Sequence, residues 1–544
     1  MEQLLTIFSL LQTETHFHFV VTIFILAILI SFYRYYSVFL KARFPILGKT
    51  LLQENFDIKE NQINYKTYII AIAMSLFLFI VYFLTSPSIY KEKPSGDAVY
   101  FTMMAVYADT PSELNIPITS LHGNRILAPI LVHALVGREL KQAIHEYEKL
   151  SHRKLTADIF YFWLRDEGDE NLAAIQAEQG IDSNARLSKI NEDEKALLLK
   201  INKVVWKGFT IVNFIAFLVQ IIFVLAILAY FRIPSLVALF ICFIYSTFFV
   251  NVRLYVYWPY MTDPLALSFL LAGWYFMLEK RPILFTSLLI LGILVKEQLL
   301  LLLVAFFFYN LLNRKTDDAP LNTRIILARL PLILSWSLIP VIVYVWLRMS
   351  PYFAIQGNVL PVMEHYTNYV MYNVDKPDDL SKIFRDYIYL FQYHFNKLLS
   401  VEGVFKSLLI PINVFGVLFF LLLKRIKNVT NLLYQNNNVY MLFYVLPYLL
   451  LGLFMVDRYI FYIVPVILIL SAFIISDLSS KHSLFFFIVL LLLNLLMMRF
   501  FSQIHPRWLQ TEYFNILMIG LSLVLNRLAW ILFSMSFALE KKQH

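Results

Sequence analysis

An aspartate, a histidine and an arginine lie between residues 96 and 131, in a stretch that follows a long apolar run. Asp97 comes directly after a glycine, and His122 and Arg125 stand just before a proline-containing apolar segment. A carboxylate near a cation stays ionised at neutral pH and can act as a general base towards a hydroxyl or an amine. The stretch is therefore a candidate catalytic site with Asp97 as its base.

Both charged residues also have structural interpretations. Asp is a favoured N-cap, so Asp97 would cap a helix that starts at Ala98, a role compatible with catalysis if the side chain faces a cavity. Arg125 would either hold a phosphate group at a positive helix end or extend to lipid headgroups. The apolar segment that follows Arg125 has about a dozen residues, which suits a re-entrant or interfacial helix better than a membrane span.

Charges interrupt or border long apolar runs at three other places. Asp263 opens one run at what is also an ordinary helix start, with proline next in the chain. Lys296 and Glu297 interrupt another run, where a lipid-facing charge costs on the order of 2.5–3.5 kcal/mol, so we expect the pair to face a polar cavity. Arg458 either binds a lipid phosphate or pairs with its neighbour Asp457.

The composition indicates an integral membrane protein. Of 544 residues, 59% are hydrophobic and 15% are charged, whereas a soluble domain has roughly a quarter charged. Apolar runs of about 18 residues recur, which is the length that crosses ~30 Å of hydrocarbon. The single cysteine, Cys242, excludes a disulfide framework and a thiolate metal site. The net charge of +9 comes from basic residues at the ends of apolar runs, so no nucleic-acid partner is expected.

We therefore expect an all-α fold, a polytopic transmembrane helical bundle of about 12–13 spans. The expected spans are 17–33, 67–84, 207–231, 233–250, 261–278, 282–295, 298–313, 324–347, 405–423, 439–456, 459–476, 483–499 and 512–536. Clusters of Lys and Arg mark one set of span ends as cytoplasmic and place the N-terminus outside. The run 282–313 is too long for one span. Two short helices with Lys296 and Glu297 at the turn agree better with the charge rule, by which Lys and Arg cluster at the cytoplasmic ends of spans. All the candidate charges then lie on the outer face.

This topology divides the chain into three regions. Residues 1–66 form an extra N-terminal span with a cytoplasmic linker, and 477–544 form a C-terminal transmembrane hairpin with a cytoplasmic tail. The core, 67–476, includes two outer loops, 85–206 and 348–404, and interfacial helices are expected in the first. Glu192 to Lys207 is predicted to be a helix that continues into the next span. The expected location is the bacterial cytoplasmic membrane, with the site facing the periplasm or exterior, and the ER membrane is the alternative.

The order and spacing of these segments resemble the GT-C superfamily, the multispanning glycosyltransferases that use polyprenyl-phosphate-linked sugars. The resemblance covers most of residues 67–476 and rests on G-D-A-V-Y, N-R-I-L-A-P-I-L, M-T-D-P-L-A-L-S-F-L-L-A, L-G-I-L-V-K-E-Q-L-L-L-L and D-R-Y-I-F-Y-I-V-P-V-I-L-I-L. It implies that Asp97 activates an acceptor, which attacks the anomeric carbon directly and usually with inversion, while the lipid phosphate leaves. It also implies a metal-independent enzyme without a cofactor other than the lipid-linked sugar donor.

The acceptor implied by the resemblance is a glycan, a lipid or a protein. Arg458, and after it Arg125 and Lys296, would hold the donor phosphate. The full set of candidate substrate-binding residues is Tyr100, His122, Arg125, Asp263, Lys296, Glu297 and Arg458.

Two other functions fit the same pattern. A transporter or flippase of lipid-linked glycans would need polar groups that continue through the bilayer, whereas the predicted spans are nearly free of charge. A non-catalytic scaffold of envelope assembly would need no base at Asp97. A cavity around Asp97, open both to the bilayer and to the outside, distinguishes the transferase from these alternatives.

Overall fold

A computed structural model of the chain describes residues 63–85, 97–114, 125–156, 190–248, 259–312, 323–349, 414–435, 438–454 and 460–479. Regular structure in these ranges is helical, without a β-strand, which confirms the all-α prediction for this part of the chain. Short 3-10 helices occur at Pro111–Glu113, Glu297–Leu301 and Phe461–Ile463. The α-helices are α1 Tyr65–Thr85, α2 Asp97–Val106, α3 Leu127–Ser151, α4 Glu192–Tyr230, α5 Ser235–Ser246, α6 Asp263–Leu278, α7 Pro282–Ile293, α8 Leu302–Leu312, α9 Thr323–Met349, α10 Val417–Lys424, α11 Ile426–Gln435, α12 Tyr440–Phe454 and α13 Val464–Ser479.

The predicted spans that fall within the described residues coincide with helices, apart from 405–423, which is described only from residue 414 onwards, and the break inside 282–313 is confirmed. α7 ends at Ile293, a turn follows, and helical structure resumes at Glu297. The amide of Lys296 donates to the carbonyl oxygen of Gly292 (2.8 Å), which closes the end of α7. The predicted spans at 17–33, 483–499 and 512–536, and nearly all of the loop 348–404, lie outside the described residues.

α4 is the longest helix in the described part of the chain. Its 39 residues extend over about 58 Å. Its polar N-terminal part continues into the apolar part without a break, which confirms the prediction for Glu192 to Lys207. Asn191 caps it by accepting a hydrogen bond from the amide of Glu194 (2.8 Å). By length and composition, α4 is the one described helix that is long and apolar enough to cross a membrane, and several shorter helices are also apolar.

α3 packs against the polar half of α4 in the antiparallel direction. Two ion pairs join the helices along this contact, Lys207 with Glu139 (2.9 Å) and Lys200 with Glu146 (2.5 Å). The dozen apolar residues after Arg125 are therefore the first half of a 25-residue helix and do not form the separate short helix that the sequence predicted. The helix continues because its polar half gains partners on α4.

Contacts between tyrosines show which helix ends meet. The hydroxyl of Tyr309 on α8 donates to the carbonyl oxygen of Leu278, the last residue of α6 (2.9 Å). It also lies 3.3 Å from the hydroxyl of Tyr230, the last residue of α4. Tyr440, the first residue of α12, packs against the Tyr309 ring with centroids 5.0 Å apart. We call Tyr230, Leu278, Tyr309 and Tyr440 the tyrosine layer, because its three tyrosines mark one common end of the bundle.

Basic residues follow the tyrosine layer. Lys280 and Arg281 follow α6 after one residue, and Arg425 and Lys427 lie where α10 gives way to α11, the short helix that precedes α12. Both clusters are thus at the same end of the bundle, as the charge rule predicts. Asp263, which begins α6, is at the other end.

Several helices turn apolar side chains outwards. On α7, Ile283 is 65% exposed although Phe285 and Leu289 are buried in the bundle. On α9, Ile342 and Trp346 are 62% and 61% exposed. Exposed apolar surface shared by several helices is unusual for a soluble monomer and is typical of faces that contact lipid or another protein.

Gly208 determines how closely α3 approaches α4, because a Cβ there would lie 2.6 Å from Cγ1 of Val132 and 3.2 Å from Cγ2 of Val136. We expect Gly208→Val to overpack this contact and to lower the free energy of unfolding by about 1–3 kcal/mol. Gly137→Ala is the matched control, since its Cβ meets only His133, at 3.4 Å, and alanine favours the helix. Thermal unfolding in detergent should show a lower melting temperature for Gly208→Val and a higher one for Gly137→Ala. An unchanged melting temperature for Gly208→Val would contradict the close approach of α3 and α4.

Candidate functional site

Arg125 and Glu297 form a buried ion pair between α3 and the turn that follows α7. Arg125 stands just before α3, and Glu297 is the first residue of the 3-10 helix. Nη2 of Arg125 donates to Oε1 of Glu297 (2.8 Å), and Nε donates to Oε2 (3.2 Å). The residues are only 2% and 8% exposed. Two parallel hydrogen bonds from a guanidinium fix both the distance and the orientation of the carboxylate.

Lys296 and Asp263 form a second ion pair beside the first. Nζ of Lys296 donates to Oδ1 of Asp263, the first residue of α6, and both residues are buried. The same oxygen accepts a hydrogen bond from the hydroxyl of Tyr462 (3.2 Å). The Lys296 ammonium also lies 5.5 Å from the centroid of the Tyr462 ring, within the range of a cation–π interaction. Tyr462 therefore contacts both members of this pair.

The backbone at the turn explains why adjacent charges have different partners. Lys296 is extended, with φ −162° and ψ 122°, and successive side chains of an extended chain point in opposite directions. Lys296 consequently reaches α6, and Glu297 reaches the start of α3. The amide of Leu127 donates to the carbonyl oxygen of Leu294 (3.0 Å), which joins the first turn of α3 to the end of α7.

The four charged side chains, Arg125, Asp263, Lys296 and Glu297, are called the buried charge cluster below. Two cations and two carboxylates give the cluster no formal net charge. Glu297 lies on the turn between two apolar helices. Burial there works to raise the pKa of Glu297. The charge and hydrogen bonds of Arg125, together with a backbone hydrogen bond and the charge of Lys296, nevertheless hold the pKa below its usual value. The cluster is stable in its buried position because each charge has an opposite charge in contact.

Two expectations for these residues need correction. Arg125 does not extend to lipid headgroups, because it is buried and bound to Glu297. Lys296 and Glu297 do not act as one pair facing a polar cavity, since each forms an ion pair with a distant residue. Asp263 does begin a helix, as predicted, and its carboxylate also belongs to the buried charge cluster. All four side chains are buried, so none of them is a solvated loop charge.

α2 carries two further candidates. Asp97 is its first residue, within one position of the predicted helix start, and only the backbone of Asp97 is described. Tyr100 is half-buried, and the residues around it on α2, among them Phe101 and Met104, are buried. His122 and Arg458 lie outside the described residues, so the structure tests neither of them.

The C-terminal end of α2 is attached to α3. Nδ1 of His133 donates to the carbonyl oxygen of Ala105 (2.8 Å), and Nε2 lies 3.6 Å from Oδ2 of Asp109. Lys141 contacts the same carboxylate oxygen at 2.8 Å. The hydrogen bond from Lys141 holds the pKa of Asp109 below its usual value, against the smaller opposing effect of burial. α3 thus holds the C-terminal end of α2. Arg125, which stands just before the first turn of α3, belongs to the buried charge cluster.

Sequence reasoning did not identify Tyr462 as part of the site. Its signal in the sequence is weak, because it is one aromatic residue among several in D-R-Y-I-F-Y. It also stacks on Tyr448, with ring centroids 5.6 Å apart, and Tyr448 donates to the carbonyl oxygen of Gln298 (2.7 Å). Tyr462 therefore connects the segment before α13 with the turn at residues 296–298.

Comparisons of the chain with protein-family models, with curated proteins and with solved structures find no match. In the described ranges, no group of three or more His, Cys, Asp or Glu side chains is arranged to hold a metal ion.

Glu297→Gln tests the buried charge cluster, because it keeps the shape of the side chain but removes the charge that faces Arg125. Removal of one partner from a buried ion pair typically costs about 3–5 kcal/mol, so we expect a marked fall in melting temperature. Glu139→Gln is the matched control, because its pair with Lys207 is about half exposed and should contribute little. Equal, small shifts for the two variants would show that the pair of Arg125 and Glu297 does not stabilise the fold.

Proposed function

We propose that this chain is a polytopic membrane glycosyltransferase. It would move a sugar from a polyprenyl-phosphate-linked donor to a glycan, lipid or protein acceptor at the outer face of the membrane. The observation that supports this best is the buried charge cluster, which gathers predicted site residues from three distant parts of the chain at one end of the bundle. That end is opposite the basic residues that follow α6 and that surround Arg425, so it is the outer end under the positive-inside rule. The cations of α3 and of the polar half of α4 belong to the long predicted loop 85–206, and the rule is counted over short loops only.

Asp97 is the proposed general base. It begins α2, where the partial positive charge of a helix N-terminus favours an ionised carboxylate. In the proposed step, Asp97 takes the proton of an acceptor hydroxyl or amine while the acceptor atom attacks the anomeric carbon of the donor. The bond between that carbon and the phosphate oxygen breaks, polyprenyl phosphate leaves, and the configuration at the carbon inverts. The lipid-linked sugar is the donor, and no metal takes part.

The buried charge cluster supports this site as a framework. Arg125 and Lys296 each bind a carboxylate within it, so the cluster has no formal net positive charge to offer to a phosphate group. Instead it joins the starts of α3 and α6 to the turn after α7. In this proposal the donor phosphate is bound by Arg458, the remaining cation of the predicted set, which lies outside the described residues.

Placement in a membrane is part of the same proposal. The outward apolar side chains of α7 and α9 are suited to contact with lipid tails. The separation of the basic residues from the buried charge cluster matches a protein with a cytoplasmic end and an outer end. The ions buried in the described part of the chain belong to this cluster or, for Glu194, to the polar half of α4. A transport path would need polar groups along its full length, so this distribution favours the transferase.

Labelling of introduced cysteines tests this arrangement, in a background that carries Cys242→Ala. Thr110→Cys lies on an exposed turn after α2, and Asn431→Cys lies on the exposed side of α11. We expect a membrane-impermeant maleimide to label position 110 on sealed cells, and to label position 431 only after the cells are opened. Equal labelling of both positions on sealed cells would contradict the opposite placement of the two ends.

Asp97→Asn tests the proposed reaction. Loss of a general base typically lowers a rate 10²- to 10⁴-fold, so we expect a fall of about that size in kcat. The measurement is transfer of radiolabelled sugar by purified protein, from a panel of polyprenyl-phosphate-linked sugars to acceptors in a lipid extract. Asp193→Asn, at an exposed acid in the first turn of α4, is the control and should keep full activity. Unchanged transfer by Asp97→Asn would reject this role. Absence of transfer by the wild type across the whole panel would favour a scaffold.

A further inference from the structure

α11 is a short helix that lies between two apolar helices. α10 ends at Lys424, Arg425 leaves the helical conformation with φ −104° and ψ 27°, and α11 begins at Ile426. α11 has ten residues, about 15 Å at 1.5 Å per residue, so it is too short to cross ~30 Å of hydrocarbon. The break at Arg425 separates it from α10, so it does not extend that helix into a longer span.

The residues after α11 return the chain to the tyrosine layer. The amide of Asn438 donates to the carbonyl oxygen of Leu433 (3.1 Å), and Nδ2 of Asn438 donates to that of Leu432 (3.4 Å). α12 then begins at Tyr440, which is buried. α11 is therefore held at the end of the bundle that carries the basic residues.

One side of α11 packs on the bundle and the other side is exposed. Val429 and Leu433 are buried, and α11 contacts α13. Ile426 is 56% exposed, Tyr434 is 71% exposed, and Lys427 is also exposed. At 100° per residue these three exposed side chains fall within one third of the helix circumference. The outer side of α11 thus combines an aliphatic, an aromatic and a cationic group.

The charge of this segment has a single sign. Residues 424–438 contain Lys424, Arg425 and Lys427, and no Asp or Glu. Exposed cations also follow helices that end in the tyrosine layer, namely Arg232 after α4 and Lys280 with Arg281 after α6, and one exposed acid, Glu279, stands beside the latter two. A surface with this excess of cations attracts an anionic partner.

We propose that α11 lies along the membrane surface and binds anionic phospholipid headgroups. Lys427 and Arg425 contact the phosphates, while Ile426 and Tyr434 enter the boundary between headgroups and acyl chains. A lipid surface fits better than an acidic protein because the cations stand among apolar and aromatic side chains, as in interfacial helices. The inference rests on the membrane placement in the proposed function and does not depend on sugar transfer.

Lipid selectivity tests the inference. Full-length protein in neutral detergent is titrated with phosphatidylglycerol or phosphatidylcholine, and bound lipid is counted by native mass spectrometry. Each cation near an anionic surface changes the affinity about fivefold, so we expect the double variant Arg425→Gln, Lys427→Gln to lose about 25-fold in phosphatidylglycerol binding. The matched control, Lys149→Gln with Lys203→Gln, neutralises two exposed lysines on α3 and α4 and should stay within twofold of the wild type.

The depth of the helix gives a second measurement, in the background with Cys242→Ala. An environment-sensitive dye on Tyr434→Cys should report an apolar surrounding in lipid nanodiscs, and the same dye on Lys203→Cys should report water. Unchanged lipid selectivity in the double variant, or a water signal at position 434, would overturn the proposal. If the double variant instead lost binding to a soluble polyglutamate peptide, α11 would be assigned to an acidic protein partner. None of these outcomes depends on the activity of Asp97.

Discussion

The turn between α7 and α8 depends on the neutralisation of charges that cannot reach water. Lys296 and Glu297 are adjacent in an apolar part of the chain, and each unpaired buried charge would cost several kcal/mol. The partners come from far away in the sequence, Asp263 at the start of α6 and Arg125 just before α3. To supply these partners, the ends of three helices must meet at the turn. A single electrostatic requirement therefore determines much of the arrangement at this end of the bundle.

The same requirement applies to uncharged polar groups inside α4. Nδ2 of Asn213 donates to the carbonyl oxygen of Pro259 (2.6 Å), and Nε2 of Gln220 donates to that of Pro264 (2.5 Å). The hydroxyl of Tyr245 donates to Oε1 of Gln220 (2.5 Å). These bonds connect α4 with α5 and with the start of α6, which carries Asp263. In the proposed membrane setting the hydrophobic effect would not drive helices together, so hydrogen bonds of this kind would help to select the packing.

Sequence reasoning identified the elements better than their contacts. The break near Lys296 was predictable because two charges interrupt an apolar run that is too long for one span. The ion-pair partners of Lys296 and Glu297 were not predictable. The extended backbone of Lys296, which points its side chain away from that of Glu297, results from tertiary packing. The length of α3 was underestimated for a related reason: its polar half is helical because of ion pairs with α4. For Asn213 and Gln220 a signal was present, since their spacing of seven residues places both on one face of α4.

The neutrality of the buried charge cluster also constrains the chemistry at this end of the bundle. A phosphate group requires a cation whose charge is not already matched, whereas both cations of the cluster bind carboxylates. The cluster is therefore better suited to hold α3, α6 and the turn in fixed positions than to bind a substrate directly. α3 in turn holds the C-terminal end of α2 through His133, so the position of the helix that begins at Asp97 depends on the cluster. Binding and catalysis would then belong to residues around the cluster, and its ion pairs would keep the shape of the site.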